Sequence, residues 1–576
     1  MPVQQQQHTG KFQVYVEGQE LAPEAERMLI GAVVDDNLNL PDLFTLTFRD
    51  PEHKALAAAG LRIGAKVRVS LISEQHPGGE PLISGEVTAL EAEHAAGGTM
   101  AVARGFDHSH RLFRGRRTET YQNVTYADVA RTVAMRAGLQ AGKIDPTPGV
   151  HQHVSQGNLS DWQFLRSLAQ EIGYEVLVID NQLDLRNPAR SGQAPAGGSL
   201  DTQNPLQLSM GANLLRLRAV VTSAEQVKEV QVRGWDVGQK RALVGSAAAA
   251  TESASLPLTP AGLADTFDAV EFVATDVPYR TQAEVDAAAK ALADQLAGAF
   301  AELEGVARGN PKLKAGTPVS LSLAGEPFDG KYILSATRHV LDPETGYTTW
   351  FTVSGRQERS LLGLATPGGN GSGPPPLPGV AVAQVTDVRD PDRLGRVKLK
   401  FPWMSDSYVS DWARVPQPGA GPERGAVILP EVNDEVLVAF EHGDLRRPYV
   451  LGGLYNGVDK PKLGDRLVDE ASGAVRRRGF VSKRGHLLVF FDDEADEGVA
   501  LLTGDSKLRV ALDRSKTVIH VASDGRVEIE ATQDISIKAG KNLVVEAGAT
   551  MELKAKAIKI TADGPVEVKG QPIKLN

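Results

Sequence analysis

Residues 517–576 read TVIHVASDGRVEIEATQDISIKAGKNLVVEAGATMELKAKAIKITADGPVEVKGQPIKLN, and this stretch decides the fold. Large apolar residues stand in pairs two positions apart, and the pairs recur in steps of seven or eight residues. Side chains two apart on a strand share a face. The pairs predicted to face inward are Ile519/Val521, Val527/Ile529, Ile535/Ile537, Leu543/Val545, Met551/Leu553, Ile558/Ile560, Val566/Val568 and Ile573/Leu575. Glu and Lys occupy most outward positions, so we expect eight short strands with one dry face.

The number of octads decides between two architectures. Three octads make one coil of a single-chain β-solenoid, so this tail would give about two and a half coils, fewer than the roughly three repeats such stacks need. If three chains wind together, each octad becomes one side of a triangular prism, and strands of different chains satisfy each other's backbone groups. The repeat therefore predicts an intertwined homotrimeric β-helix over residues 516–576.

Upstream, short alternating runs between Gly, Pro and Asp predict further β structure. The N-terminal strands expected are Phe12–Val16, Leu43–Phe48, Lys66–Leu71, Ile83–Val87, Pro318–Leu323, Gly330–Leu334 and Tyr347–Val353. They are typical of an antiparallel barrel or sandwich, with a second barrel after the last helix. The few helices expected are Tyr126–Ala137, Leu159–Ile172 with Ser160 as a candidate N-cap, and Gln282–Glu304.

A Gly- and Pro-rich segment, TPGGNGSGPPPLPG at 366–379, separates this part from the rest and reads as a semi-rigid linker. Five strand-like runs then follow in fewer than 80 residues, which suits a small OB-like barrel. These runs are Ala381–Val385, Gly395–Phe401, Trp412–Val415, Ala426–Leu429 and Glu435–Phe440. The predicted divisions are 1–365, the linker 366–379, the OB-fold 380–460, a connector 461–515 and the repetitive tail 516–576.

Composition excludes several classes of function. The chain of 576 residues has a net charge of −10 and contains no cysteine, which argues against nucleic-acid binding and excludes disulfides, thiolate zinc sites and thiol catalysis. No apolar stretch approaches the roughly 20 residues of a membrane span, and the start MPVQQQQHTG has no signal-peptide pattern. We expect cytoplasmic synthesis.

Candidate catalytic and metal sites are weak. No His is followed by Glu, and no Gly-Lys is followed by Ser or Thr, which excludes two common catalytic motifs. His108/His110 and His151/His153 could each place two imidazoles on one side of a strand, yet neither pair has obvious further ligands. The acidic run 492–497 lacks the glycine of an EF-hand, and the basic run Arg476–Arg478 is expected to face acidic neighbours. We assign no catalytic, cofactor or metal residue, and predict that the chain is not an enzyme.

Several motifs resemble one family. In the OB-like segment they are Asp390–Val397, Phe401–Trp403, Trp412–Arg414, Pro430–Val436, Phe440–Asp444, Arg447–Pro448 and Leu451–Asn456; elsewhere they are Leu159–Leu165, Ile172–Tyr174, Gly309–Pro311, Gly316, Phe328–Tyr332, His339, Arg484–His486 and Phe491–Asp493. Taken in chain order, these motifs resemble the VgrG-type central spike proteins of contractile injection systems. Those proteins are related to phage late-control D and baseplate V proteins. The resemblance covers essentially the whole chain.

The resemblance implies a mainly β protein: a hub over 1–365 with two tube-like β-barrels and small α/β insertions, then the OB-fold, then a trimeric needle. In the family, the hub adapts a hexameric inner tube to the threefold spike. The implied partners are two further copies, the inner-tube protein, baseplate proteins, a PAAR-type tip protein, effector cargo and, transiently, a target membrane. The tip protein would dock on the last layer, Ile573, Lys574, Leu575 and Asn576, because an exposed apolar prism end needs a cover.

Three readings stay open at this point: a structural spike, a cell-wall hydrolase spike and a carbohydrate-binding tail fibre. The hydrolase reading needs a large extra domain between OB-fold and tail, where only 460–515 lies. Among injection machines, the resemblance favours extracellular phage-tail-like systems over a type VI secretion VgrG that delivers separate effectors. The protein is then expected to assemble in the cytoplasm and to leave within a phage-tail-like particle.

Overall fold

The computed structural model describes residues 10–73, 76–196, 204–269, 271–342, 346–358, 376–463, 467–493 and 495–574. The chain is mainly β, with 43% strand and 13% helix, as the sequence predicted. It forms two compact units, Met1–Asn456 and Gly457–Asn576.

The first unit contains twenty-nine strands among the described residues. They are β1 Lys11–Val16, β2 Gln19–Glu20, β3 Leu29–Asn37, β4 Leu43–Arg49, β5 Lys66–Ser73, β6 His76–Ala95, β7 Gly98–Asp107, β8 Arg117–Val124, β9 Gln140–Ile144, β10 His151–Leu159, β11 Glu175–Ile179, β12 Gln182–Arg186, β13 Gln207–Ser209, β14 Leu214–Val221, β15 Glu229–Asp236, β16 Arg241–Ala248, β17 Ala254–Ser255, β18 Glu271–Tyr279, β19 Ala301–Arg308, β20 Pro318–Ser322, β21 Gly330–Ile333, β22 Ala336–Asp342, β23 Gly346–Val353, β24 Val380–Asp387, β25 Lys398–Lys400, β26 Ala420–Gly421, β27 Arg424–Gly425, β28 Glu435–Phe440 and β29 Pro448–Gly453.

Helices are few, as expected. The α-helices are α1 Pro23–Met28, α2 Ala55–Ala58, α3 Tyr126–Arg136, α4 Asp161–Glu171, α5 Pro260–Thr266 and α6 Gln282–Gly298; short 3₁₀ helices span His108–Phe113, Ser191–Gln193 and Glu441–Gly443. Ser160 caps α4 as predicted, since its hydroxyl accepts the backbone N–H of Gln163 at 3.2 Å and Gln163 bonds back to the Ser160 N–H.

An eleven-stranded sheet forms the main framework, in the order β14-β19-β23-β22-β3-β4-β7-β6-β5-β1-β2. Its strands alternate because one face is buried: Phe44, Leu46 and Phe48 of β4 are fully buried. Strands far apart in sequence meet here, as when β3 pairs antiparallel with β22. All the N-terminal strands predicted from alternation are present.

Smaller sheets carry the helices: β10-β8, β11-β12-β9, β13-β20-β21-β17 and β16-β15-β18. Helices α3 and α4 share one core with β11 and β12, and α6 packs on β15 and β16. The predicted helix Gln282–Glu304 is too long, because α6 ends at Gly298. Residues 301–308 instead form β19, which pairs with both β14 and β23.

The OB-like part contains the sheet β25-β24-β28-β29 and the hairpin β26-β27. Its core includes the fully buried Phe401 and Tyr408. Two predicted strands are corrected. Residues 412–415 make only isolated bridges, Val397 with Ala413 and Arg414 with Tyr449, and 426–429 join no strand. Residues 426–429 follow the tight β26-β27 hairpin, and Val427 is 83% exposed.

The motif Asp390–Val397 is a closed polar loop. The Asp390 carboxylate accepts the backbone N–H groups of Leu394 and Arg396, and the Arg396 guanidinium binds it at 2.6 Å. These hydrogen bonds, above all the one from the Arg396 side chain, hold the pKa of Asp390 well below its usual value. The residues of this motif are therefore explained by the hydrogen bonds that close the loop within the barrel.

The second unit begins with an antiparallel meander of five strands, β30 Arg477–Val481, β31 Leu487–Asp493, β32 Asp496–Leu502, β33 Leu508–Asp513 and β34 Val518–Ser523. The first apolar pair of the repeat, Ile519/Val521, lies in β34 and is therefore paired within its own chain, against β33. From residue 524 to 574 no described residue belongs to a strand. Most of the linker, 366–375, lies outside the described residues, and the five predicted divisions of the chain stay predictions.

Candidate assembly interface

The repetitive tail keeps its apolar side chains in water. None of the fourteen residues predicted for the needle core is buried within the single chain, and their exposed fractions run from 49% for Met551 to 74% for Ile519. The exposed residues are Ile519, Val521, Val527, Ile529, Ile535, Ile537, Leu543, Val545, Met551, Leu553, Ile558, Ile560, Val566 and Val568.

The sequence predicts that one tail has too few repeats to cover its own apolar face, and that further chains enclose it. Ile537, Val545 and Leu553 are predicted to face inward in that assembly, and in one chain each is about two thirds exposed or more. The physical reason is that no strand pairs with these octads inside the chain, so nothing covers their apolar side. Enclosure by further chains stays a prediction.

Elsewhere the same chain buries Val, Leu and Phe almost completely, as in the cores of the eleven-stranded sheet and the OB-like barrel. Large aliphatic groups left exposed over fifty residues mark a surface that a partner covers. The tail is therefore the candidate assembly interface.

The exposure of the tail is itself periodic. In six successive pairs, from Val527/Ile529 to Val566/Val568, the first member is less exposed than the second, for example 56% against 73% in the first of these pairs. The repeated difference indicates that successive pairs lie in similar surroundings along the tail.

Charged side chains between the apolar pairs contact each other within the chain. Arg526 and Glu528 form an ion pair at 2.9 Å, and Lys569 and Glu567 form another. Residues two apart share a face, so these contacts place the charges together on one side of the tail. Exposed pairs of this kind contribute little to stability. Burial of the apolar side and pairing of the backbone are the contributions left to order the tail.

The predicted tip-docking residues are only partly described. Ile573 is about half exposed, and Lys574 is exposed. Leu575 and Asn576 lie outside the described residues. The structure brings these residues into no contact that tests docking, so the assignment stays a prediction.

The junction between the N-terminal part and the OB-like part, here called the seam, is a polar interface that sequence reasoning missed. His153 donates from Nε2 to the Val409 carbonyl at 3.0 Å, and the hydroxyls of Ser155 and Tyr408 hydrogen-bond at 3.0 Å. Both bonds join β10 to the buried turn after β25. Specific hydrogen bonds thus fix the position of the OB-like part against the N-terminal part.

A buried ion cluster lies at the centre of the seam. The Arg446 guanidinium binds Glu171 of α4 at 3.0 Å and Asp444 at 2.9 Å. The Tyr126 hydroxyl of α3 donates to Glu171 at 2.6 Å, so the carboxylate is held from both sides. Arg280, just before α6, reaches Glu441 at 3.3 Å. Four elements of two regions therefore meet in one network.

The charges of this cluster stabilise one another. Burial raises the pKa of Asp444, but the nearby Arg446 outweighs burial, and the pKa ends below its ordinary value. Burial likewise lowers the pKa of Arg446, but Asp444 and Glu171 outweigh it and raise that pKa. Both groups are held in their charged forms, which makes the seam intolerant of the loss of one partner. Asp444 belongs to a motif singled out in the sequence, but nothing there indicated its partner.

Three carboxylates meet where the central strands β3 and β7 end and β4, which lies between them, begins. Asp107 accepts the backbone N–H of Asp42 at 3.1 Å, Asp42 accepts that of Asn37 at 3.0 Å, and Asp36 accepts that of Ala315 at 3.0 Å. Burial raises the pKa values of Asp36 and Asp107 to about 6. Burial and these two neighbours raise the pKa of Asp42 well above its ordinary value.

The histidine pairs and the acidic run hold no metal-like cluster. His108 and His110 lie in a 3₁₀ helix rather than on the expected strand, and His110 contacts Glu86 at 3.0 Å. His151 does lie on β10, stacked on Tyr126. Within the described ranges, no three His, Asp or Glu residues are grouped as metal ligands.

The acidic run is the β31–β32 hairpin, which faces the basic run as expected. Arg476 pairs with Asp493 at 3.3 Å, and Arg478 pairs with Asp492. Among the helices described, none is long and apolar enough to cross a membrane.

Comparison with known proteins agrees with this geometry. Residues 381–455, the OB-like part, match the family described as the type VI secretion system/phage-baseplate injector OB domain. The type VI secretion system spike protein VgrG3 of Vibrio cholerae is 33% identical over 115 residues, 19% of this chain and 11% of that protein. The chain is therefore similar to VgrG-type spike proteins.

Other VgrG proteins are also matched only in part. The actin cross-linking toxin VgrG1 of Vibrio cholerae is 26% identical over 214 residues, 35% of this chain and 18% of that protein. The chain thus aligns with less than a fifth of either curated relative. The structure of the Francisella PdpA-VgrG complex covers 90% of this chain and 89% of its own at 7% identity, with a TM-score of 0.51, which shows the fold alone.

A second family profile, the Alg8 N-terminal domain, matches residues 83–342 of this chain. This range begins inside β6, and it leaves out β1 to β5 and β23 of the same continuous sheet. Because it cuts through one framework, it corresponds to no folded unit. We therefore infer no function from this match.

Proposed function

We propose that this chain is the structural central spike of a contractile injection machine, and that three copies wind their tails into one needle. The OB-domain match and the VgrG relatives support a spike of phage-tail-like or type VI injection machinery. The single observation that carries the trimer is the tail: its apolar pairs are exposed and its backbone joins no strand from 524 to 574, in a chain that otherwise buries both.

Intertwining is the arrangement that satisfies both needs of the tail. Extended backbone requires N–H and C=O partners, and about two and a half coils of one chain provide too few. Three chains in register supply a neighbour for every octad and enclose every apolar pair. The fourteen inward residues then form the needle core from Ile519 to Val568, with the paired Glu and Lys residues outside.

The role follows from this arrangement. The N-terminal part would join a hexameric inner tube and baseplate proteins, and the threefold needle would transiently breach a target membrane. We place a small PAAR-type tip protein on the last repeat, with Ile573 and Lys574 at the docking surface. Assembly would occur in the cytoplasm, before firing or release within a tail-like particle, and separate effectors would travel as cargo. Of the two machine classes, we retain the extracellular phage-tail-like one.

A hydrolase spike is not favoured. The region between OB-fold and tail where such a domain would lie is occupied by β30 to β33, a continuous meander. The proposed work is force transmission, for which the buried ion cluster of the seam gives a stiff joint between hub and OB-fold. If the purified chain cleared a peptidoglycan suspension in a turbidity assay, that result would contradict the structural role.

The native mass of the full chain tests the proposal directly. Sedimentation equilibrium at micromolar concentration should give three times the chain mass of 61.5 kDa. A folded monomer with its tail intact would overturn the trimeric needle.

Deletion of Ile573–Asn576 tests the tip surface separately. The trimer should persist, while capture of a co-expressed PAAR-type protein should fall at least tenfold. A deletion of equal length at the N-terminus, Met1–Gln4, serves as the matched control. Unchanged capture would show that the tip protein binds elsewhere.

A further inference from the structure

The five-stranded meander before the tail has one apolar face that the chain leaves uncovered. Strand pairing sets the faces: Val489, Ala500 and Ala511 are cross-strand neighbours, and all three are buried. The residues between them point to the opposite side. That side, here called the apolar face, consists of Phe480, Leu488, Phe490, Val499, Leu501, Val510, Leu512, Ile519 and Val521.

The apolar face is continuous across all five strands. Phe480 pairs with Leu488, Leu488 with Leu501, Leu501 with Val510 and Val510 with Val521. Leu501 is 54% exposed and Val521 58% exposed. Soluble monomers rarely expose a contiguous apolar patch of more than roughly a few hundred Å² without a partner. A second surface therefore belongs on this sheet.

The occupant is indicated by the chain itself. Ile519 and Val521 belong both to the apolar face and to the first pair of the tail repeat. Whatever encloses the tail pairs must pass over β34 at the same place. Because the tail is proposed to be enclosed by two sister chains, the same two chains are the nearest available cover for the sheet.

The charges at the rim permit three identical faces to meet. Arg478 pairs with Asp492, and Glu497 pairs with Arg514 at 2.6 Å. The charged residues beside the face are thus neutralised within each chain, so that like charges do not oppose one another when copies approach. The interior of the face carries no charge.

We infer that the apolar face of residues 477–523 packs against the same face of two further copies and sets the register of the needle. This rests on the proposed function and adds to it. Most steps between successive pairs are eight residues, so a slip by one step keeps most apolar pairs inside, and the tail alone specifies its alignment weakly. The meander is not repetitive, with phenylalanine rings only at Phe480, Phe490 and Phe491, and its faces fit in one alignment.

A chain ending at Asp524 tests the inference. Every described strand keeps its partner in this truncation, because the last pairing is β33 with β34. We expect it to sediment at three times its own mass, and the double variant Leu501→Lys/Val510→Lys to reduce it to monomer. The control, His520→Lys, adds charge to the other face of β34 and should remain trimeric. Far-ultraviolet circular dichroism checks that each variant keeps its strand content.

Cross-linking gives a second measurement in the full chain. The sequence contains no cysteine, so a single introduced thiol reports on one position alone. Val510→Cys should form covalent dimers under mild oxidation, whereas His520→Cys should give at least tenfold less. The apolar face near the threefold axis brings the first pair of thiols together and keeps the second pair apart.

The outcomes separate the two proposals. A trimeric truncation that the lysine pair dissociates, with cross-linking at Val510→Cys, supports the inference. A monomeric or dimeric truncation beside a trimeric full chain overturns it and leaves the proposed needle intact. A truncation that stays monomeric but binds lipid vesicles overturns it in favour of a membrane occupant. A monomeric full chain overturns the proposed function itself.

Discussion

The OB-like barrel and the tail obey the same alternating pattern and yet bury it in opposite ways. In the barrel, Val385, Leu399 and Val436 are inaccessible to solvent, because β24, β25 and β28 pair within the chain. In the tail, Ile529 and Ile560 are each 73% exposed, because no strand of the same chain is available. Alternation therefore identifies which side of a strand is apolar, whereas the covering partner depends on the number and length of the repeats.

Charge placed inside the tail should have the largest effect. Ile535→Asp/Ile537→Asp would bury carboxylates without partners, at a cost of several kcal/mol for each charge, and should abolish trimer formation. Sedimentation equilibrium measures the result. Ser536→Asp adds a charge to the outward side of the same strand and should leave the trimer intact. A fully trimeric double variant would contradict the inward assignment.

Loss of one partner in the seam should have the next largest effect. It should lower the stability of the unit that contains the OB-like barrel. Arg446→Met leaves Glu171 and Asp444 buried without their cation, which should reduce the free energy of unfolding by about 3–5 kcal/mol. Urea unfolding followed by fluorescence measures it. The control Arg389→Met breaks a surface pair with Asp387 and should change stability by less than about 0.5 kcal/mol. Equal effects of the two variants would show that the buried cluster is dispensable.

The three carboxylates make the N-terminal part sensitive to pH. Their folded pKa values are raised, so the folded state binds more protons than the unfolded state, and stability should fall as the pH rises from about 4 through about 6. Asp42→Asn removes one charge, keeps an acceptor for the Asn37 N–H, and should stabilise the chain at pH 7.5 by about 1 kcal/mol or more. Thermal unfolding between pH 4 and pH 8 measures both.

The control for this pH effect is Asp276→Asn, which changes an exposed carboxylate on β18. It should leave the slope of stability against pH unaltered. Stability that rises with pH in the unmodified chain would contradict the raised pKa values.

The smallest effect is expected at a helix terminus. Ser160→Ala removes the side-chain acceptor for the Gln163 N–H and should reduce stability by about 1 kcal/mol. Ser160→Thr keeps a hydroxyl and should recover most of the loss. The trimer mass should be the same in both variants, since α4 lies far in sequence from the tail. A change in mass would link the helix to assembly.

Local patterns predicted the elements whose partners are nearby or whose faces are clearly apolar. Alternation located β1, β4 and β28, and the Ser160 cap located the start of α4. The helix predicted to reach Glu304 failed because Ala301–Arg308 has helix-forming residues, and pairing with β14 and β23 overrides this propensity. The same dependence on distant partners explains why 412–415 is not a full strand.

The candidate interface was predicted in part. The octad spacing predicted which side of the tail is apolar and that further chains are needed to cover it. A single chain leaves Ile537, Val545 and Leu553 exposed, and their enclosure by other copies stays a prediction. The sequence did not indicate that the first pair of the repeat also pairs within the meander.

The seam could not be found from the sequence, because Glu171 and Arg446 are brought together only when two regions dock. A charged residue in a motif does not reveal which charge it will face.

The repetition of the apolar pairs has a consequence for how such proteins change over time. In the proposed needle, an in-frame duplication of eight residues would add one more side to the prism and leave the barrel, the ion cluster and the sheet untouched. Reach can therefore grow or shrink in fixed increments.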